Sequence, residues 1–326
     1  MDLEKFKELN VLVTGADGFI PSFVCDRLVE LDANVTALVR RNSNNVLKSI
    51  PHLIDKVKIR WGDITDMSLL ISETKDTDII YHLGAQSHVQ YSLHNPVETY
   101  QTNTIGTMNV LEAARINNVT RVVHAGSAEV YGKPEQVPIT EKHPLAPRSP
   151  YAAGKVASDR LMFSYYCTYG MSLVTSRFFG IYGPRQSVEK VIPKFILKIH
   201  NNVAPMVYGD GSQSRDYMYV TDAADAYARL GIAENIDGEV INIGTGKETN
   251  IADLARLIIK LMGAKMEPKF TEKIHPGEAG RLVCDPSKGM KILNWKPTIS
   301  FEEGLKKTID YYQKHPELYE ALKVVV

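Results

Sequence analysis

The chain has 326 residues, 44% of them hydrophobic and 23% charged, enough to bury a substantial core as one large or two closely joined domains. Lysine plus arginine and aspartate plus glutamate each number 38, so no net field draws it to nucleic acid or to an anionic membrane. Cys25, Cys167 and Cys284 share no metal-ligand spacing, which predicts buried thiols in a reducing compartment, with neither a metal site nor a disulfide.

Residues 1–10 carry acidic groups and no apolar core segment, so no signal peptide is read there. No run reaches the roughly eighteen apolar residues of a membrane span, and a cytoplasmic location is expected. Residues 11–14 read as a buried strand, followed by a glycine turn and a helix start, Gly15-Ala16-Asp17-Gly18-Phe19-Ile20. Gly15 permits the tight turn, Gly18 lets backbone approach a pyrophosphate, and the amides of the first helical turn face the anion. Gly15, Asp17, Gly18, Phe19 and Ile20 are therefore candidate cofactor residues. Pro21 stands where this turn usually has a third small glycine, and its ring fills space that helix and strand normally share.

The second strand, 34–39, ends at Arg40, Arg41, Asn42 and Ser43, with no carboxylate to accept from ribose hydroxyls. Arg40, Arg41 and Ser43 suit a 2′-phosphate, which predicts NADP ahead of NAD. A third strand, 57–61, leads to Asp63 and Ile64, placed beside the adenine. A fourth, 79–83, leads through Leu83 to Ala85 and Gln86, placed over the ribose.

A helix is predicted over 96–117, then a strand over 121–125 with Ser127 just beyond it. The next predicted helix, 151–169, opens with Tyr151 and Lys155, which share one face. A nearby ammonium lowers a phenol's pKa, so Tyr151 is the candidate base, Lys155 its cation and Ser127 a partner for the same substrate oxygen. A strand over 173–177 completes a strand–helix alternation that implies an α/β fold with a Rossmann-type, doubly wound parallel sheet. Beyond it come a turn-rich stretch at 209–212, a short strand between glycines within 236–246, and helices at 251–262 and 301–314. These form a smaller lobe over 182–326 beside a cofactor domain over 1–181, the boundary being soft enough for the two to interleave.

Together the glycine turn, the serine and the Tyr151–Lys155 pair resemble the extended short-chain dehydrogenase/reductase family, in its group of nucleotide-sugar epimerases and dehydratases. Further matching segments are 83–89, 103–107, 127–132, 149–155, Tyr182-Gly183-Pro184-Arg185, Ser214-Arg215-Asp216-Tyr217 and His275-Pro276-Gly277-Glu278. The resemblance implies that Arg215 and Arg281 hold a nucleotide diphosphate, that Ser87 contacts the substrate, and that helices 96–117 and 151–169 pair across a homodimer. Met108, Leu111 and Met162 would lie on the contact faces. Two positions depart from the family pattern: Gly180 replaces an asparagine, and His275 an arginine.

The segment Ser127-Ala128-Glu129-Val130-Tyr131-Gly132 resembles that of GDP-mannose and UDP-sugar 4,6-dehydratases, in which the glutamate is the C5 base. The resemblance thus implies a nucleotide-sugar 4,6-dehydratase that oxidises C4 with bound NAD(P), Glu129 acting after Tyr151. A 4-epimerase shares every residue but has no use for Glu129. A 4-keto-sugar reductase or a non-catalytic NADP sensor are further alternatives. Some dehydratases have an aspartate where this chain has Ala128, so a separate general acid is missing.

Overall fold

A computed structural model describes residues 1–41, 46–272 and 280–320. The first half runs β1 (Asn10–Thr14), α1 (Phe19–Glu30), β2 (Asn34–Val39), β3 (Lys58–Trp61), α2 (Met67–Glu73), β4 (Ile79–His82), α3 (Val89–His94), α4 (Pro96–Tyr100), α5 (Gly106–Ile116), β5 (Arg121–Ala125), α6 (Pro150–Tyr169) and β6 (Leu173–Phe178). The chain continues as β7 (Gly180–Tyr182), α7 (Val191–His200), β8 (Met206–Tyr208), β9 (Ser214–Tyr219), α8 (Val220–Ile232), β10 (Val240–Ile243) and β11 (Glu248–Asn250). It ends in α9 (Ile251–Leu261), β12 (Lys269–Thr271), β13 (Arg281–Leu282), α10 (Ser287–Leu293) and α11 (Phe301–Lys314).

Seven strands form one parallel sheet in the order β10-β6-β5-β4-β1-β2-β3, the expected doubly wound Rossmann arrangement. Strand direction of travel reverses between β1 and β4, and such sheets take ligands in the crevice at that point. Helices cover both faces, so the strands are nearly continuous apolar runs. Val11, Val13 and Val123 face one side, packing with Val24 and Leu28 of α1 and Ala224 and Leu230 of α8. Leu12, Ile80 and Val122 face the other, with Leu70 of α2, Leu111 of α5 and Met162 of α6. Each such side chain, once buried, stabilises the fold by about 1.5–3 kcal/mol.

Leu111 and Met162 thus face their own subunit's core and not a partner, which corrects the expected contact faces; Met108 is half-buried. Exposed apolar residues of these helices include Val97, Ile105, Ile116 and Phe163, with the Tyr100 and Tyr169 rings. The helix predicted over 96–117 is also interrupted: a π turn over Gln101–Ile105 separates α4 from α5. Asn103, inside that turn, is buried and bonded to the loop after β4, a demand that regular helical geometry does not meet. Cys25 and Cys284 are buried as expected, but Cys167 is exposed.

The second sheet has β9 at its centre, antiparallel to β11 and parallel to β13 and β7. Its own core joins Tyr182, Phe195, Ile196, Leu254, Ile258 and Leu305. A cut at 181/182 does not separate the two sheets, because α8 and β10 return to the first. The Tyr227 ring of α8 stacks on Phe178 of β6 at 4.4 Å, and β10 pairs with β6 throughout. No helix among the described residues is long and apolar enough to cross a membrane.

Candidate active site

The cradle for a dinucleotide forms where the loops after β1 and β4 meet. Gly15 sits at φ +68°, and a Cβ there would lie 2.8 Å from the Gly84 Cα, so only glycine fits. The Thr14 hydroxyl accepts from the Gly84 amide at 2.9 Å and ties the two loops together. Gly18 is the N-cap of α1 and has no side-chain cap, which leaves the amides of Phe19 and Ile20 facing an anion site. Pro21 is buried as the third residue of α1, where a missing N–H costs no helical bond, and the helix runs unbroken to Glu30. Its Cγ would lie 3.1 Å from a Cβ at Gly18, so the ring fills the room that the absent side chain leaves.

The other predicted cofactor residues are placed unequally. Asp17 turns away from the turn's anion face: its carboxylate accepts from the amides of Lys48, Ser49 and Ile50 and anchors that segment. Arg40 and Arg41 follow β2 and are exposed, whereas Ser43 lies outside the described residues. The Asp63 carboxylate accepts from the amide and hydroxyl of Thr65, and Ile64 is buried. Leu83, Ala85 and Gln86 line the loop after β4 half-exposed, with Ser87 exposed beyond them. Asn103 holds this loop from both sides, accepting from the Gln86 amide and donating to its carbonyl. Gln86 Oε1 is buried with no hydrogen-bond partner among the described residues, as expected of a loop built to take a polar ligand. The glycine turn, the uncapped helix and this loop fit a nicotinamide dinucleotide.

Chemistry gathers at the ends of β5 and α6. Ser149 caps α6 by accepting from the Ala152 amide at 3.1 Å, and Pro150 occupies the first helical position. This start places Tyr151 in the first turn and Lys155 one turn further, where its Nζ donates to the Ala125 carbonyl at 2.7 Å. Ser127, the last residue before a one-turn 3-10 helix (Ala128–Tyr131), accepts from the Glu129 amide at 3.2 Å. Burial pushes the Tyr151 phenol up to about 12, a hydrogen bond with Ser127 pulls it back, and the Glu129 charge raises it. Burial outweighs every other influence on this phenol, and the Lys155 ammonium is itself held down to about 8 by desolvation.

Glu129 is half-buried, and its charge acts on both Tyr151 and Lys190. Lys190, the N-cap of α7, was not singled out from the sequence; only its place in a short Glu189-Lys190 pair could have marked it. Burial lowers its pKa, and Glu129 and Glu189 counter that. His88 Nδ1 pairs with Glu189 at 3.2 Å, joining the loop after β4 to this segment.

Below the Tyr151–Lys155 pair lies a buried polar layer. His82 bridges Thr14 and Thr107 at 2.9 Å each and stacks on His124. Burial drives His82 down to about 3 and lowers His124 as well, so both rings are neutral at physiological pH. Arg177 of β6 grips Asp159 of α6 at 2.7 Å and also donates to the Tyr131 hydroxyl at 2.9 Å. Removing one partner of such a pair costs about 3–5 kcal/mol.

Arg215 and Arg281 stand on adjacent strands of the second sheet. Arg215 donates to the Gly280 carbonyl at 2.7 Å. Arg281 is gripped by both oxygens of Glu248 at 2.7 Å, which holds that carboxyl down at about 2, with Ser214 as a further donor. At Gly180 a Cβ would lie 2.8 Å from the Asp216 carbonyl oxygen, so β7 packs too closely on β9 for the family's asparagine. His275 lies outside the described residues.

Residues 12–308 match the family described as GDP-mannose 4,6 dehydratase. A trifunctional UDP-glucose 4,6-dehydratase/3,5-epimerase/reductase of Arabidopsis thaliana is 35% identical over 97% of this chain, which spans only 49% of that protein. A putative UDP-glucose 4-epimerase of Methanocaldococcus jannaschii is 35% identical, covering 94% of this chain and 99% of its own length. The crystal structure of a dTDP-glucose 4,6-dehydratase from Streptomyces venezuelae, with NAD bound, superimposes with a TM-score of 0.90 at 31% identity, over 96% of this chain and 100% of the other. By this match along nearly its whole length, the chain belongs to the GDP-mannose 4,6 dehydratase family, among the nucleotide-sugar dehydratases and epimerases of the extended short-chain dehydrogenase/reductases.

Proposed function

We propose that this protein is a nucleotide-sugar 4,6-dehydratase acting on an NDP-hexose. The observation that carries the reading is Glu129, a half-buried carboxylate just past Ser127 whose charge acts on Tyr151 and Lys190. Gly15, Gly18, Phe19, Ile20, Leu83, Ala85 and Gln86 would hold the dinucleotide, and Arg215 and Arg281 the substrate diphosphate, once the diphosphate displaces Glu248. The bound nicotinamide supplies a hydride acceptor at C4 and a hydride donor afterwards. Tyr151 Oη takes the proton of the C4 hydroxyl, Ser127 Oγ orients that oxygen, and the Lys155 ammonium favours the phenolate. Glu129 then removes the C5 proton, made acidic by the C4 carbonyl. With alanine at 128, Glu129 itself passes that proton to the departing C6 hydroxyl, which leaves as water.

A 4-epimerase is the second reading, favoured by that same Ala128, which leaves no separate acid. Incubation with GDP-, UDP-, dTDP- and CDP-hexoses, followed by product mass, tests the pair. Loss of one water supports the dehydratase, and unchanged mass with an inverted C4 supports the epimerase.

NADP is the preferred cofactor in this reading, through Arg40 and Arg41. Their joint replacement by alanine should weaken NADP binding about ten- to a hundredfold while leaving NAD binding little changed. Equal affinity of the unaltered protein for the two cofactors sinks the preference.

The protein is further read as a homodimer joined through α4, α5 and α6, with Val97 (68% exposed), Ile105 and Phe163 on the joint. Light scattering at micromolar concentration should give twice the chain mass, and Phe163→Glu should halve it. A monomeric mass for the unaltered chain rules the arrangement out.

A further inference from the structure

Asp159 is one turn beyond Lys155 on α6 and is 1% exposed. Both Arg177 contacts, from Nε at 2.8 Å and Nη2 at 2.7 Å, fall on Oδ2. Oδ1 is left without a hydrogen-bond partner among the described residues, 3.9 Å from an equally unpartnered His124 Nε2. Arginine–carboxylate pairs frequently engage both oxygens, and this one engages a single oxygen. Here Arg177 fixes the carboxylate by one edge and leaves the other to act through space.

The groups facing Lys155 make that edge matter. His82 of β4 and His124 of β5 are neutral, Tyr151 is protonated, and Nζ donates to a backbone carbonyl. Arg177 of β6 and Arg160, next to Asp159 on α6, act on the Asp159 carboxylate and favour its charged form. Among the described residues Asp159 is the anion that acts on the buried ammonium, and the attraction is mutual: each charge favours the other's ionised form.

We propose that Asp159, clamped by Arg177, is a positioning residue: the counter-ion that keeps the Lys155 ammonium charged beneath the Tyr151 base. This rests on Lys155 being the cation of the proposed reaction. Burial favours the neutral amine, and the carboxylate opposes it, so removing the carboxylate moves Lys155 deprotonation to lower pH. Activity that needs the ammonium is then lost earlier as pH rises.

The test follows Lys155 directly. Trace acetylation across pH 6–11, with mass measurement of the Lys155 peptide, gives the pH at which the amine becomes reactive. Asp159→Asn should lower that midpoint by about one unit, a tenfold change in the protonation equilibrium, and move the alkaline limb of kcat/KM equally. Asp159→Glu should restore both. Since Asp159→Asn strands the Arg177 guanidinium, the double variant D159N/R177M is made alongside; it removes the pair as a unit and should show the same displacement. A folded double variant with the midpoint and limb of the unaltered protein overturns the proposal and leaves a purely structural ion pair. The labelling midpoint is readable with no nucleotide sugar turned over, so failure of the proposed reaction is not confused with failure of this role.

Discussion

Tyr151→Phe removes turnover of every nucleotide sugar, by about 10²–10⁴-fold or more, whichever of the two reactions the enzyme performs. The ring stays in the first turn of α6, Ser149 still caps the helix, and Lys155 keeps its bond to the Ala125 carbonyl. What disappears is the oxygen proposed to take the C4 proton, together with its hydrogen bond to Ser127. Losing a bond of that kind costs about 0.5–1.5 kcal/mol, too little to unfold the protein. Thermal melting should therefore barely move while formation of a 4-keto sugar stops. Residual turnover within tenfold of the unaltered enzyme would place the base elsewhere, and Lys190 would then be the group to examine.

Glu129→Gln separates the two reactions. The amide keeps the volume and can still bond its neighbours, but it accepts no proton from C5. In a dehydratase, Tyr151 still takes the C4 hydroxyl proton, the bound nicotinamide would still accept the hydride, and a 4-keto hexose forms to at most one per active site. The dehydrated product falls by about 10²–10⁴-fold, and exchange of the C5 hydrogen with deuterated water ceases. An epimerase makes no use of this transfer, so inversion at C4 continues nearly undiminished. The variant also removes a negative charge that raises the Tyr151 phenol, which eases the first step and cannot mimic the loss. Undiminished turnover to a product of unchanged mass would refute the dehydratase reading.

Much of this was legible in the chain because it is local. β-rich apolar runs end at glycine or polar residues, so β1 to β6 were placed within a residue or so, and two residues four apart on a capped helix must share a face. What escaped is non-local or a choice of face. Lys190 comes under the charge of Glu129 across distant parts of the chain, and no spacing in sequence encodes that. Asn103 reads as one more polar helix residue until the π turn brings it to the Gln86 backbone. Leu111 and Met162 are apolar on helices with two apolar faces, and hydrophobicity does not say which face meets the sheet. Asp17 sits in the glycine turn, where sequence suggests a ligand contact, yet three backbone amides claim its carboxylate.

The path of the chain between its two sheets restricts how the cleft can open. One residue, Phe179, separates β6 in the first sheet from β7 in the second. β9 runs from the second sheet directly into α8 on the first, and a short turn after β10 carries the chain back to β11. Three taut crossings behave as a lacing. A wide swing of one half away from the other is restrained, because all three crossings would have to bend together. The turn from 183 to 190 is tied as well, Arg185 pairing with Asp26 of α1 at 2.8 Å and Glu189 with His88. A cleft restrained in this way is expected to rearrange little on binding, so that little of the binding energy goes into assembling it.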